Sequence, residues 1–157
     1  MAICATLCYI QNKTKTLMLH RIKKKNDIHQ GKWNGLGGKL EAGETPEDCV
    51  VREVFEESGL KIKDPDLRAI LTFPKFDGQN DWIVFLFVAK KFLGDLMECS
   101  EGKLKWITTS GLTQLSLWEG DRLFLKWLER KKFFSAKFIY EKGKLKNYHV
   151  HFYPVDF

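Results

Sequence analysis

The stretch from Gly37 to Leu60 constrains this chain more than any other: Gly-Gly-Lys-Leu-Glu-Ala-Gly-Glu-Thr-Pro-Glu-Asp-Cys-Val-Val-Arg-Glu-Val-Phe-Glu-Glu-Ser-Gly-Leu. It reads as a glycine-rich turn feeding a helix that carries its own start and stop. Thr45 is a good N-cap, and Pro46 stands at the first helical position, where a missing N–H costs nothing. Glu47 and Asp48 put negative charge in the first turn, and Asp48 stands three residues after the cap. Gly59 can adopt the left-handed conformation that ends a helix. These signals predict a helix over Pro46–Ser58.

What that helix carries is chemical. Glu53, Glu56 and Glu57 fall at i, i+3 and i+4, so their carboxylates share one face. Like charges at that spacing destabilise a helix unless something neutralises them. Arg52 supplies one positive charge, and a hard cation would supply more. Carboxylates with a main-chain carbonyl and water are what Mg²⁺ or Mn²⁺ prefer. An acidic trio alone is commonly a solvated surface. Here a glycine corner and Glu44 stand just ahead of it.

Gly38, five residues, Glu44, seven residues, then Arg52-Glu53-Val54-Phe55-Glu56-Glu57-Ser58-Gly59-Leu60 resembles the full Nudix box. The resemblance implies an enzyme that hydrolyses a nucleoside diphosphate linked to another moiety, with divalent metal. It implies Glu53, Glu56 and Glu57 as metal ligands, with the Gly37 carbonyl as another. It implies Arg52 as the residue that orients the glutamates and Glu44 as the support of the loop. Glu53 is the choice of general base within the box. Glu101, in a later loop, matches a position that adds a metal-site carboxylate in relatives; the alternative is an exposed loop acid beside Gly102.

The remaining chain supplies strands. Ile3–Ile10 and Thr16–Arg21 read as a hairpin around Gln11–Lys15, and Lys23–Lys32 as a loop. Leu67–Phe73 is a strand. Trp82–Ala89 is apolar almost throughout, which predicts a strand buried on both faces. Leu93–Gly102 reads as a loop. Lys103–Thr108 alternates and is half-buried, and Gly120–Lys131 is an amphipathic helix. Phe133–Tyr140 and Leu145–Tyr153 form a closing hairpin. Strands with two helices predict an α/β class: an α/β/α sandwich with a mixed sheet and a C-terminal β-hairpin, also the fold the resemblance implies. One domain is expected over 1–157, with the box at 38–60.

A formal net charge of +6 suits an anionic substrate. The basic residues gather in Lys23–Lys25 and Arg130–Lys132, short clusters without interleaved exposed aromatics, which speaks against a nucleic-acid partner. Cys4, Cys8, Cys49 and Cys99 show neither paired nor metal-type spacing and read as buried thiols in a reducing compartment. With no basic leader and no apolar run of membrane length, the expected location is cytoplasmic, with no membrane partner. Nothing in the residues selects monomer or homodimer.

The resemblance extends beyond the box. Trp33-Asn34-Gly35-Leu36-Gly37-Gly38-Lys39, Trp106, Leu117-Trp118-Glu119-Gly120-Asp121 and Phe133-Phe134 look like the MutT-type subgroup that removes oxidised purine nucleoside triphosphates. The resemblance implies Asn34, Trp118 and Asp121 as a base pocket, with Thr6, Lys23, Leu36, Gly37, Gly38 and Lys39 as further substrate contacts. An amide offers donor and acceptor together, and an aromatic face suits a flat ring. Read singly, Trp118 is core, Asp121 a helix N-cap and Asn34 a turn residue. The chain departs from mammalian members in one place. They carry two adjacent aspartates where this chain has Gly120 and Asp121. The implied reaction is metal-dependent cleavage of a triphosphate such as 8-oxo-dGTP to the monophosphate and pyrophosphate. The alternatives are a Nudix hydrolase for another nucleotide, a nucleotide sugar or an RNA end, and a non-catalytic nucleic-acid-binding module.

Overall fold

The computed structural model describes residues 1–154; residues 155–157 of the expected single domain lie outside the described residues. The strands are β1 (Ala2–Asn12), β2 (Lys15–His20), β3 (Trp33–Asn34), β4 (Lys61–Lys63), β5 (Asp66–Phe73), β6 (Asp81–Ala89), β7 (Lys91–Leu93), β8 (Lys103–Thr108), β9 (Phe133–Glu141) and β10 (Lys144–Tyr153). The helices are α1 (Pro46–Ser58) and α2 (Glu119–Trp127). One eight-stranded sheet runs β10-β9-β5-β6-β1-β2-β3, with β8 on the other edge of β2. It is mixed: β1–β6 and β5–β9 are parallel and the other pairs antiparallel.

The sheet separates two apolar layers. On one face Val50 and Val54 of α1 pack on Cys8, Ile10 and Phe87. On the other, Phe124 of α2 packs with Tyr9, Leu86, Phe134 and Phe138. Each such fully buried side chain contributes ~2 kcal/mol. Period two along β1 explains the division: Cys8 and Ile10 face α1, while Leu7 and Tyr9 face α2. The expected α/β/α sandwich and closing hairpin are what the chain forms. All four cysteines are free thiols. Among the described residues no helix is long and apolar enough to cross a membrane.

Three details differ from expectation. β6 is buried only from Leu86 to Ala89, and Trp82 and Val84 border a cavity at the margin of the core. The second helix stops at Trp127 and tightens into a 3-10 turn over Leu128–Arg130. Leu93, expected in a loop, ends β7, which pairs with β4 in a small separate sheet.

Candidate active site

The α1 start is built as its sequence directs. Thr45 Oγ1 accepts from Asp48 N–H at 3.0 Å, and the Asp48 carboxylate accepts from Thr45 N–H at 3.1 Å. Gly59 ends the helix at φ 80°. Between these caps the apolar face docks on the sheet, which turns the glutamates toward the glycine corner.

That corner is sewn to β1 by the backbone. Thr6 N–H donates to Gly38 C=O at 2.8 Å, Leu36 N–H to Cys8 C=O at 2.9 Å and Leu40 N–H to Cys4 C=O at 3.0 Å. The approach is so close that a Cβ on Gly37 would lie 2.0 Å from Thr6 O. Only glycine fits there. Gly37 N–H then donates to Glu57 Oε1 at 2.8 Å, tying the corner to the helix.

Arg52 holds the acids in place. Its Nε and Nη2 donate to the two oxygens of Glu44 at 2.7 and 2.9 Å, a bidentate fork. Nη1 donates to Glu53 at 2.8 Å and Glu56 at 3.2 Å, and Nη2 to Lys39 C=O at 3.1 Å. The Arg52 hydrogen bonds draw the Glu44 carboxyl down to about 2. Glu44 also accepts from Glu41 N–H at 2.7 Å and so braces the loop.

Glu57 faces inward. Burial first, then Glu101 and Glu53, hold its carboxyl well above the usual carboxylate range, against the Gly37 N–H that opposes the shift. Ligating atoms of Glu57, Cys99 and Glu101 all lie within 4.8 Å of one another. Burial pushes the Cys99 thiol up, which leaves hard oxygen donors as the chemistry of this cluster. Crowded carboxylates that retain a proton unless given a counter-charge fit a divalent cation. Glu53 and Glu56 sit on the Arg52 side, Glu56 turned to solvent.

Beside this cluster opens a cavity of about 320 Å³. Gly37, Gly38, Lys39 and Glu101 line its acidic end; Asn34, Trp118 and Asp121 line it with Phe73, Phe76 and Tyr140. Trp118 meets Phe76 and Tyr140 edge to face at 5.0 and 5.4 Å. Its indole N–H donates to His29 Nδ1 at 2.8 Å. Burial and Arg21 push His29 down to about 4, so the imidazole is neutral and can accept. Lys32 Nζ lies 5.4 Å from the Trp118 ring centre. Burial pushes the Asp121 carboxyl up to about 7, against the charges of Lys32 and Arg122. Asn34 Oδ1 is buried with no hydrogen-bond partner among the described residues.

The expected site residues therefore divide. The structure brings Asn34, Gly37, Gly38, Lys39, Trp118, Asp121 and Glu101 to one cavity. Thr6 also borders it, but its hydroxyl lies 3.4 Å from both Gly38 C=O and Cys49 Sγ, a brace for the corner. Two expected contacts are not brought there. The Leu36 side chain is fully buried in the α1-side core. Lys23 Nζ donates to Cys99 C=O at 3.0 Å and pairs with Glu98. Phe73, Phe76, His29 and Tyr140 escaped the sequence reading. Period two in β9 puts Tyr140 on the face of Phe138, yet nothing in that period shows what lies opposite.

Compared with known proteins, residues 2–128 match the model of the NUDIX domain family. The chain is 35% identical over 127 residues to the uncharacterized Nudix hydrolase YvcI of Bacillus subtilis, covering 78% of this chain and 77% of that protein. It is 33% identical over 119 residues to the oxidized purine nucleoside triphosphate hydrolase of Mus musculus, covering 75% and 76%. A crystal structure of a MutT protein from Bacillus halodurans superposes with a TM-score of 0.85 at 28% identity, over 94% of this chain and 97% of that one.

Proposed function

The chain belongs to the NUDIX domain family, and we propose that it is a metal-dependent hydrolase of modified purine nucleoside triphosphates, 8-oxo-dGTP or a close analogue, acting in the cytoplasm on free nucleotides. The observation that carries this reading is an aromatic cavity lined both by Asn34, whose amide Oδ1 has no partner among the described residues, and by Glu101 of the carboxylate cluster. A buried acceptor without a partner costs ~1–3 kcal/mol, which a base N–H would offset. Trp118 gives a flat face for a ring, and Asp121 can accept or, when protonated, donate at a base edge. The relative in Mus musculus named above points the same way.

In this mechanism Glu53, Glu56, Glu57, Glu101 and the Gly37 carbonyl are the groups that would hold Mg²⁺ or Mn²⁺. A bound divalent cation supplies neutralisation of charge developing on the phosphates. Arg52 keeps Glu53 and Glu56 oriented, and Glu53 takes the proton of the attacking water. Lys39 offers a positive charge to a phosphate oxygen at the mouth of the cavity. A phosphoanhydride bond breaks, giving the nucleoside monophosphate and pyrophosphate. A second reading, a Nudix hydrolase for another nucleotide or nucleotide sugar, draws on Gly120, which removes one of the two expected carboxylates.

Pyrophosphate release from dGTP, 8-oxo-dGTP, 2-hydroxy-dATP, dCTP and nucleotide sugars at fixed Mg²⁺ separates the readings. Preference for an oxidised purine supports the proposal; a flat profile, or one led by a sugar, sinks the purine assignment. Glu57→Gln should lose activity by orders of magnitude with an unchanged circular dichroism spectrum. An active Glu57→Gln protein would overturn the metal site.

A further inference from the structure

Gly120 stands where a second aspartate is expected, and its surroundings leave no room for one. Its N–H donates to the Tyr140 hydroxyl at 2.7 Å. A Cβ at position 120 would lie 2.8 Å from both Tyr140 Oη and Phe138 Cδ1. The Phe138 ring is fully buried, so it cannot give way cheaply. Glycine at 120 and tyrosine at 140 are thus one arrangement, in which a phenol occupies the space of a carboxylate.

Tyr140 lines the cavity. Its ring is locked edge to face against Trp118 at 5.4 Å and Phe76 at 5.4 Å. A phenol oxygen that accepts one hydrogen bond still carries a proton to give. Among the described residues, the bond from Gly120 is the only one this hydroxyl makes. Asn34 lines the same cavity, and its buried Oδ1 has no donor among the described residues. The residues of the walls therefore carry one unused donor and one unused acceptor, with Asp121 also lining the cavity.

We propose that Tyr140 is a specificity-determining residue that donates its hydroxyl proton to an acceptor on the base edge, from the place a second carboxylate would take. The complementary ligand is a purine edge with an N–H for Asn34 beside a ring nitrogen or carbonyl oxygen for Tyr140. This rests on the purine reading above for its substrate class. It adds the group that reads the acceptor and accounts for Gly120.

The test is Tyr140→Phe, which keeps the ring and removes one oxygen. Steady-state kinetics on 8-oxo-dGTP, dGTP, 2-hydroxy-dATP and dCTP should show kcat/KM for the preferred purine, relative to dCTP, falling about tenfold. The loss should lie mainly in KM. Isothermal titration calorimetry with the free nucleosides gives a second readout that needs no turnover, and there the purine affinity should fall by a similar factor. A merely structural hydroxyl would scale every substrate alike. That uniform scaling, or no change at all, overturns the proposal. A wild-type enzyme with no purine preference overturns the parent reading instead, so the two failures are told apart by the wild-type profile.

Discussion

Replacing Gly38 by alanine isolates the position of one carboxylate. A Cβ at residue 38 would lie 2.4 Å from Glu53 Cδ and 2.6 Å from each of its oxygens. Ordinary contact between carbons needs ~3.5–4.0 Å, so the carboxyl must retreat by roughly 1 Å. Arg52 Nη1 holds it at 2.8 Å, so the retreat either breaks that bond or draws the guanidinium off Glu44. A displacement of ~1 Å at a reacting group costs on the order of 100-fold in rate. Stability should change little, by under ~1 kcal/mol, because the clash falls on the end of a flexible side chain and alanine loses less backbone freedom on folding. Gly38 also lies outside the left-handed region, so alanine adds no backbone strain. The assay is pyrophosphate release beside thermal melting, with Gly111→Ala, where a Cβ meets open space, as the reference. A Gly38→Ala protein with at least half the wild-type kcat/KM would refute the claim that Glu53 must occupy that spot. A collapse in melting temperature would show that the glycine serves the fold instead.

Asp121 should make stability depend on pH in a definite direction. Its folded carboxyl, raised by burial to about 7 from an ordinary 3.8, keeps a proton that the unfolded chain releases. Its contribution is full below about pH 4 and is lost as pH rises to about 7, roughly 4 kcal/mol over that span. Urea unfolding of wild type and Asp121→Asn across that range reads it; parallel curves would contradict the shift. Gly120→Ala should cost ~1–3 kcal/mol, since the buried Phe138 ring resists displacement. Chemical denaturation checks this, and an unchanged midpoint would mean the pocket wall is looser than described.

Much of the architecture was legible because it is written locally. The capping box at Thr45 and Asp48, the stop at Gly59 and the alternation in β8 are short-range signals, and each sets a boundary. The parallel pairing of β1 with β6 spans some 80 residues of chain and has no local signature. The β4–β7 pair is three residues a side, too short for periodicity to register. Composition also misled at β6: Trp82 and Val84 look like core residues, but they border a cavity. In the site, the orienting role of Arg52 was implied by the resemblance of the box, though its fork to Glu44 joins the helix to the loop before it. The Tyr140–Gly120 contact was not, because it joins a strand to a helix across twenty residues. His29 was hidden likewise, its loop being tied down by Trp118 from far along the chain.

The two faces of the sheet carry different duties. The acids proposed to act on phosphate hang mainly from α1 on one face, and Trp118, Asp121 and Tyr140 come from the cap of α2, α2 itself and β9 on the other. Their structural supports hardly overlap. On the proposed assignment, mutational drift in the second group would alter which base is accepted without disturbing the groups that cleave. A lineage built on this scaffold could therefore exchange substrates by small steps, each intermediate remaining an active catalyst.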